Sequence, residues 1–183
     1  FPNKGLNAAV EQLKDLYQPH FTPIFANIGK NRNTPNEKAS ADYITCVKEL
    51  SPYVDAFVIN ISSPNTEGLR ELLKPENLNN FLKPILESNL QKIPMLLKIS
   101  PDISVEELHQ ILSTSITLGI DGWILTNTTM MRSGSHFPKE GGVSGRPLAE
   151  TSKRLLTEAK KFLDANGTND QLLISAGGVL TAD

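Results

Sequence analysis

Short, almost unbroken apolar runs alternate along this chain with longer stretches whose apolar residues recur every three or four positions. The first pattern predicts strands buried on both faces, and the second predicts amphipathic helices. Strands are read over residues 24–28, 56–61, 94–99, 122–126 and 172–176. Each run ends in polar groups or glycine. Pro23-Ile-Phe-Ala leads to Asn27, and Ala56-Phe-Val-Ile leads to Asn60, Ser62 and Ser63. Pro94-Met-Leu-Leu leads to Lys98, and Gly122-Trp-Ile-Leu leads to Thr126, Asn127 and Thr128. Leu172-Leu-Ile leads to Ser175, Ala176, Gly177 and Gly178.

The helical stretches lie between the runs. Asn3 to Tyr17 reads as a helix with Leu6, Val10, Leu13 and Leu16 on one face, and Asn3 as a candidate cap. A second helix covers about 37–50, with Tyr43, Val47 and Leu50 apolar. Asn77 to Leu90 is a third, which Pro84 should kink or divide. Ser104 and Glu107 have capping-box spacing, opening a helix through Leu108, Ile111, Leu112 and Ile116. Gly119 sits where a C-terminal glycine would stop it. Pro147 falls in the first turn of a helix running to about 165, with Leu148, Leu155, Leu156 and Phe162 facing inward.

Strand and helix alternate at the spacing of βα units, so the expected sheet is parallel with right-handed crossovers. The fold class is α/β, a parallel (β/α)8 TIM-type barrel, here an incomplete segment of about five βα units. A closed barrel needs eight strands and about 250 residues. Residues 1–183 therefore read as a single partial barrel domain, a piece of a larger barrel. In such folds ligands bind at the C-terminal strand ends, where the polar residues gather.

Composition narrows the function. The chain has 183 residues, 39% hydrophobic and 21% charged, as a globular domain does. A net charge of −2 gives no nucleic-acid footprint. No apolar run approaches the roughly 20 residues that cross a bilayer. Cys46 is the single cysteine, and His20, His109 and His136 form no metal motif, so no metal site is expected. Cys46 and Trp123 read as core residues.

Lys98 is the costliest residue, an ammonium set among Leu96, Leu97 and Ile99. It needs either a carboxylate at the barrel mouth or a bound electron-rich ring or anion. Asn27, Asn60, Asn65 and Asn127 offer donors and acceptors without charge, suited to a planar polar heterocycle, although any one could be a turn residue. Ser62 and Ser63 precede a proline. Either could bond locally to backbone or move a proton. No histidine is placed to activate them for acyl transfer. The segment from Gly141 to Pro147 precedes a helix, and Gly177-Gly178 follows a strand. Glycine turns of this kind can let backbone N–H groups approach a phosphate. The polar loop from Met130 to Gly142, with Arg132, His136 and Lys139, could be a lid or a plain surface loop.

Seven segments carry a resemblance across essentially the whole chain. They are Phe1 to Leu6, Asn27 to Asn31, Asn60 to Arg70, Leu97 to Asp102, Asp121 to Thr129, Gly141 to Leu148, and Ser175 to Val179. In this order they resemble dihydroorotate dehydrogenases of class 2, the quinone-linked flavoenzymes of pyrimidine synthesis. Class 1 relatives carry a cysteine where this chain has Ser63.

The resemblance implies an FMN-holding barrel that oxidises dihydroorotate to orotate and passes electrons to quinone. It makes Ser63 the general base that removes a proton from C5 of dihydroorotate while hydride leaves C6. It assigns the pyrimidine and its carboxylate to Asn60, Asn65, Asn127 and Thr128, with Phe1 closing a further substrate-contacting segment. It assigns flavin contacts to Asn27, Asn60, Lys98 and Thr126. Ser144, Gly145, Gly177 and Gly178 fall near the ribityl chain and phosphate. It implies peripheral association with a bacterial or mitochondrial inner membrane through a segment outside residues 1–183. The family's first two strands, its eighth strand and its membrane-associating helices are expected outside these residues too. The isolated 183-residue segment is accordingly expected to bind FMN weakly or not at all and to have little activity. Two other readings are another FMN-barrel pyrimidine oxidoreductase and a non-catalytic barrel fragment. Ser63 in place of a cysteine and a net charge of −2 argue against the first.

Overall fold

The structure is a computed structural model and describes residues 4–16, 22–63, 68–132, 140–168 and 170–181. Its elements in chain order are α1 (Leu6–Leu16), β1 (Phe25–Ile28), α2 (Ala39–Leu50), β2 (Ala56–Asn60), α3 (Pro75–Ser88), β3 (Met95–Ile99), α4 (Val105–Leu118), β4 (Gly122–Leu125), α5 (Arg146–Ala165) and β5 (Leu172–Ser175). Short 3-10 turns occupy Asn36–Lys38, Ser51–Tyr53 and Leu69–Leu73. The five strands form one sheet in sequential order, and every pair is parallel. That is the topology of consecutive βα units in a barrel wall.

Helix and strand ends follow local chemistry. Ser104 Oγ accepts from Glu107 N at 3.1 Å, and Glu107 Oε2 accepts from Ser104 N at 2.8 Å, so the capping box forms. Gly119, at φ +86°, ends α4 in the left-handed region. Of the two outcomes expected at Pro84, division is not seen, because α3 runs unbroken from Pro75 to Ser88. Burial of Leu82 and Ile85 on either side of Pro84 holds the helix through the missing hydrogen bond. Asn3 and Tyr17, at the expected ends of the first helix, lie outside the described residues.

The two faces of the sheet differ. Phe57, Ile59, Leu97, Ile99, Trp123 and Leu125 meet the helices in the main core, with Tyr43, Leu82, Leu112 and Leu155 among their partners. The other face carries a small cluster of Val58, Leu96 and Ile124, with Ile174 and Ala176 packed beside it. Side chains alternate along each strand, so this inner face also carries Asn27, Asn60 and Lys98. Trp123 is fully buried, as expected, and donates from Nε1 to Ser115 Oγ at 2.9 Å. Cys46 is only half-buried, at the margin of the core.

Candidate functional site

Register places the polar strand ends side by side. Asn60 of β2 lies opposite Lys98 of β3, and Lys98 lies opposite Ile124 of β4. Thr126 is one step further along the same face, just past β4. The ladder continues there, because Thr126 N donates to Ala176 O at 2.6 Å and Asn127 N donates to Ile99 O at 3.0 Å.

Asn60, Ser62 and Asn127 form a closed triangle. Asn127 Nδ2 donates to Ser62 Oγ at 3.1 Å and to Asn60 Oδ1 at 3.4 Å, while Ser62 Oγ donates to Asn60 Oδ1 at 3.2 Å. Two backbone N–H groups fix which way the amides face. Ser62 N donates to Asn60 Oδ1 at 3.4 Å, and Thr128 N donates to Asn127 Oδ1 at 2.8 Å. An N–H can meet only an acceptor, so both carbonyl ends are tied down. Among the described residues Asn60 Nδ2 has no hydrogen-bond acceptor. Ser63 follows the fully buried Ser62 directly and is itself partly exposed, so the candidate base stands beside the triangle. Tyr43 is buried below it and donates from its hydroxyl to the Asn60 carbonyl at 2.9 Å. Burial pushes the Tyr43 phenol well above its usual range.

Lys98 is half-buried, and burial lowers its pKa below the ordinary 10.5. Among the described residues no carboxylate pairs with it, so the salt bridge considered for it is not found there. Thr126 is buried, and its Oγ1 has no hydrogen-bond partner among the described residues. A buried hydroxyl without a partner is costly.

The two glycine turns come together at the start of α5. Gly178, at φ +75°, lies so close that a Cβ there would sit 2.5 Å from Ala149 Cα. A Cβ on Gly177, at φ +91°, would sit 2.8 Å from Leu148 Cδ2 and 3.6 Å from the Thr126 carbonyl. Only glycine allows this approach. Gly145 begins α5 without a side-chain cap, and Ser144 precedes it exposed. The set could hold an electron-rich ring over the strand ends and an anionic tail at the glycine turns.

Asn27 is exposed at the end of β1 and lines a cleft of about 880 Å³, together with Lys30 and residues of α1 and α2. Of the candidate residues that are described, it alone borders that cleft. Thr128 is partly exposed beside Asn127. Phe1, Asn65 and most of the 130–142 loop lie outside the described residues.

Sequence reasoning missed the buried tie that Ser62 makes. It also gave no role to Arg70, Asp102 or Thr129. Their signal was a base and an acid in the segments that follow successive strands, Arg70 ten residues beyond β2 and Asp102 three beyond β3.

Fold and site define a parallel α/β-barrel protein whose candidate residues gather at the C-terminal ends of the strands. The family model described as dihydroorotate dehydrogenase matches residues 1–183, and the chain belongs to that family. A dihydroorotate dehydrogenase (quinone) from Nautilia profundicola is 40% identical over 184 residues, covering 100% of this chain and 49% of that protein. One from Anaeromyxobacter dehalogenans is 37% identical over 191 residues, covering 100% of this chain and 51% of that protein. The crystal structure of an Eimeria tenella DHODH in complex with ferulenol superposes with a TM-score of 0.86 at 30% identity, covering 99% of this chain and 55% of that one. The chain thus spans about half the length of the curated relatives it matches.

Proposed function

We propose that the protein containing these residues oxidises dihydroorotate to orotate with FMN and passes the electrons to quinone, in pyrimidine (UMP) synthesis. The observation that carries this reading is the donor polarity of the strand-end cluster. Asn60 Nδ2 and the Lys98 ammonium face the inner side, and both amide carbonyls are already engaged. Ligands with ring carbonyls and a carboxylate present the acceptors such donors need.

One feature supports FMN in particular: the glycine turns, whose backbones could approach a phosphate. Asn27, Asn60, Lys98 and Thr126 would contact the flavin, and Ser144, Gly145, Gly177 and Gly178 its ribityl chain and phosphate. When bound, FMN supplies the acceptor for the hydride from C6 of dihydroorotate. Ser63 Oγ takes the proton from C5 while its own hydroxyl proton passes to water, which its partial exposure allows. Asn60, Asn65, Asn127 and Thr128, with Phe1, hold the pyrimidine and its carboxylate. Lys98 places positive charge beside the electron-rich ring, in surroundings that weaken its own protonation. A lipid-soluble quinone as acceptor fits peripheral membrane association, which belongs to the same proposal. Among the described residues no helix is long and apolar enough to cross a membrane.

Steady-state oxidation of dihydroorotate by a soluble quinone tests the assignment, with the native flanking sequence in place. Ser63→Ala is expected to lower kcat by roughly 100- to 10,000-fold, the range for loss of a general base, with FMN still bound. An unchanged kcat would overturn the role of Ser63.

A further inference from the structure

Three loops at the candidate site are tied by one half-buried ion pair. Arg70, beyond β2, donates from Nη1 to Asp102 Oδ2, beyond β3, at 2.7 Å. Their side chains are 26% and 15% exposed, so water screens the pair only in part. The rest of each group is also engaged. Asp102 Oδ2 accepts from Met130 N at 2.8 Å, and Asp102 Oδ1 accepts from the Thr129 hydroxyl, both beyond β4. Asp102 N donates to Ser100 Oγ at 3.2 Å. Arg70 Nε donates to the Ser62 carbonyl at 3.3 Å, and Nη2 donates to the Thr128 carbonyl at 3.4 Å.

Those last two acceptors matter most. The Ser62 carbonyl belongs to the peptide that leads into Ser63. The Thr128 carbonyl belongs to the residue after Asn127. One planar guanidinium therefore holds the backbone beside the candidate base and beside the candidate substrate-binding pair, and Asp102 fixes that guanidinium. We propose that Arg70 and Asp102 are positioning residues that set the relative placement of Ser63 and the Asn127–Thr128 pair. The proposal rests on the function proposed above.

The chemistry requires this pair of residue types. Arginine has donors in a rigid fork that can reach three acceptors at once, whereas lysine offers a single point. Burial of Asp102 favours its neutral form, but hydrogen bonds from Thr129, Met130 and Arg70, with the Arg70 charge, outweigh it. Its pKa lies below the ordinary 3.8. The carboxylate thus stays ionised at neutral pH and keeps accepting from all three donors. Exposed pairs such as Lys160–Asp164 join neighbours on one helix and span no loops.

The test uses the holoenzyme with its native flanking sequence, in wild-type, Arg70→Lys, Asp102→Asn and double-variant forms. Flavin content, melting temperature, kcat per bound flavin and KM for dihydroorotate are measured for each. Each single variant is expected to lose roughly 10- to 100-fold in kcat per bound flavin, the scale for slight misplacement of reacting groups. The double variant is expected to be no worse than the poorer single variant, because both break one device. Counting turnover per bound flavin removes any loss that comes only from folding or cofactor retention. Wild-type kcat per bound flavin in both single variants would overturn the proposal, and so would fully multiplicative losses in the double variant. Should Asp102→Asn not fold, Asp102→Glu takes its place under the same criteria. An inactive wild-type holoenzyme would instead refute the function on which the proposal rests.

Discussion

At the scale of single residues, orientation decides what the site can bind. An asparagine at a strand end can show either its carbonyl or its amine, and composition does not say which. Here Ser62 N and Thr128 N choose, so the amide oxygens of Asn60 and Asn127 are held by the protein, and the Asn127 amine is engaged as well, by Ser62 Oγ and Asn60 Oδ1. That the chain ends its strands in Asn60, Lys98 and Asn127 is legible, because polar groups after apolar runs stand out. The Ser62–Asn127 bond is not, since it spans 65 residues and depends on the register of three strands. Tyr43 is a similar case. Its apolar spacing predicts a core position, and it is fully buried. Its hydroxyl nevertheless reaches the Asn60 carbonyl and props the site from beneath. Tyr43→Phe removes that donor without changing shape. Urea unfolding is expected to show a loss of about 1 kcal/mol, the usual net value of one internal hydrogen bond. No change would mean that the carbonyl finds another donor.

At the scale of elements, local signals place most boundaries to within a residue or two. The capping box at Ser104 and the glycine at 119 mark α4 because each satisfies groups that a helix end leaves open. Ser104→Ala is expected to cost about 1 kcal/mol in denaturant unfolding, the typical value of an N-cap. A change within error would show that the exposed cap adds nothing here. The 3-10 turns at Asn36–Lys38, Ser51–Tyr53 and Leu69–Leu73 were not legible, being too short to show a period. Also invisible were two aspartates that brace the other end of the sheet. Asp55 Oδ2 accepts from Ile24 N at 2.7 Å, and Asp121 Oδ2 accepts from Met95 N at 2.8 Å. Each precedes one strand and holds the start of its neighbour. Only the parallel register reveals that.

At the scale of the whole molecule, alternation of strand and helix determines the sequential order β1 to β5, because right-handed crossovers leave little choice. It also determines the two unlike faces. One is packed by helices, and the other gathers Asn60, Lys98 and Thr126 around a small apolar patch. Phe25 and Leu172, at 42% and 48% exposed, mark the edge strands β1 and β5. What the pattern could not supply was the bracing between loops. The Arg70–Asp102 clamp joins residues 32 apart in sequence, and it exists only once three strand ends stand together. The proposed function requires this shared rim to hold a flavin where dihydroorotate can reduce it. The direct measurement is the visible absorbance of the purified protein, with its native flanking sequence, after anaerobic addition of dihydroorotate. A bound-flavin spectrum that bleaches within the turnover time, and bleaches far more slowly in Ser63→Ala, is the expected result. A protein that carries no flavin, or whose flavin stays oxidised in excess dihydroorotate, would contradict the account.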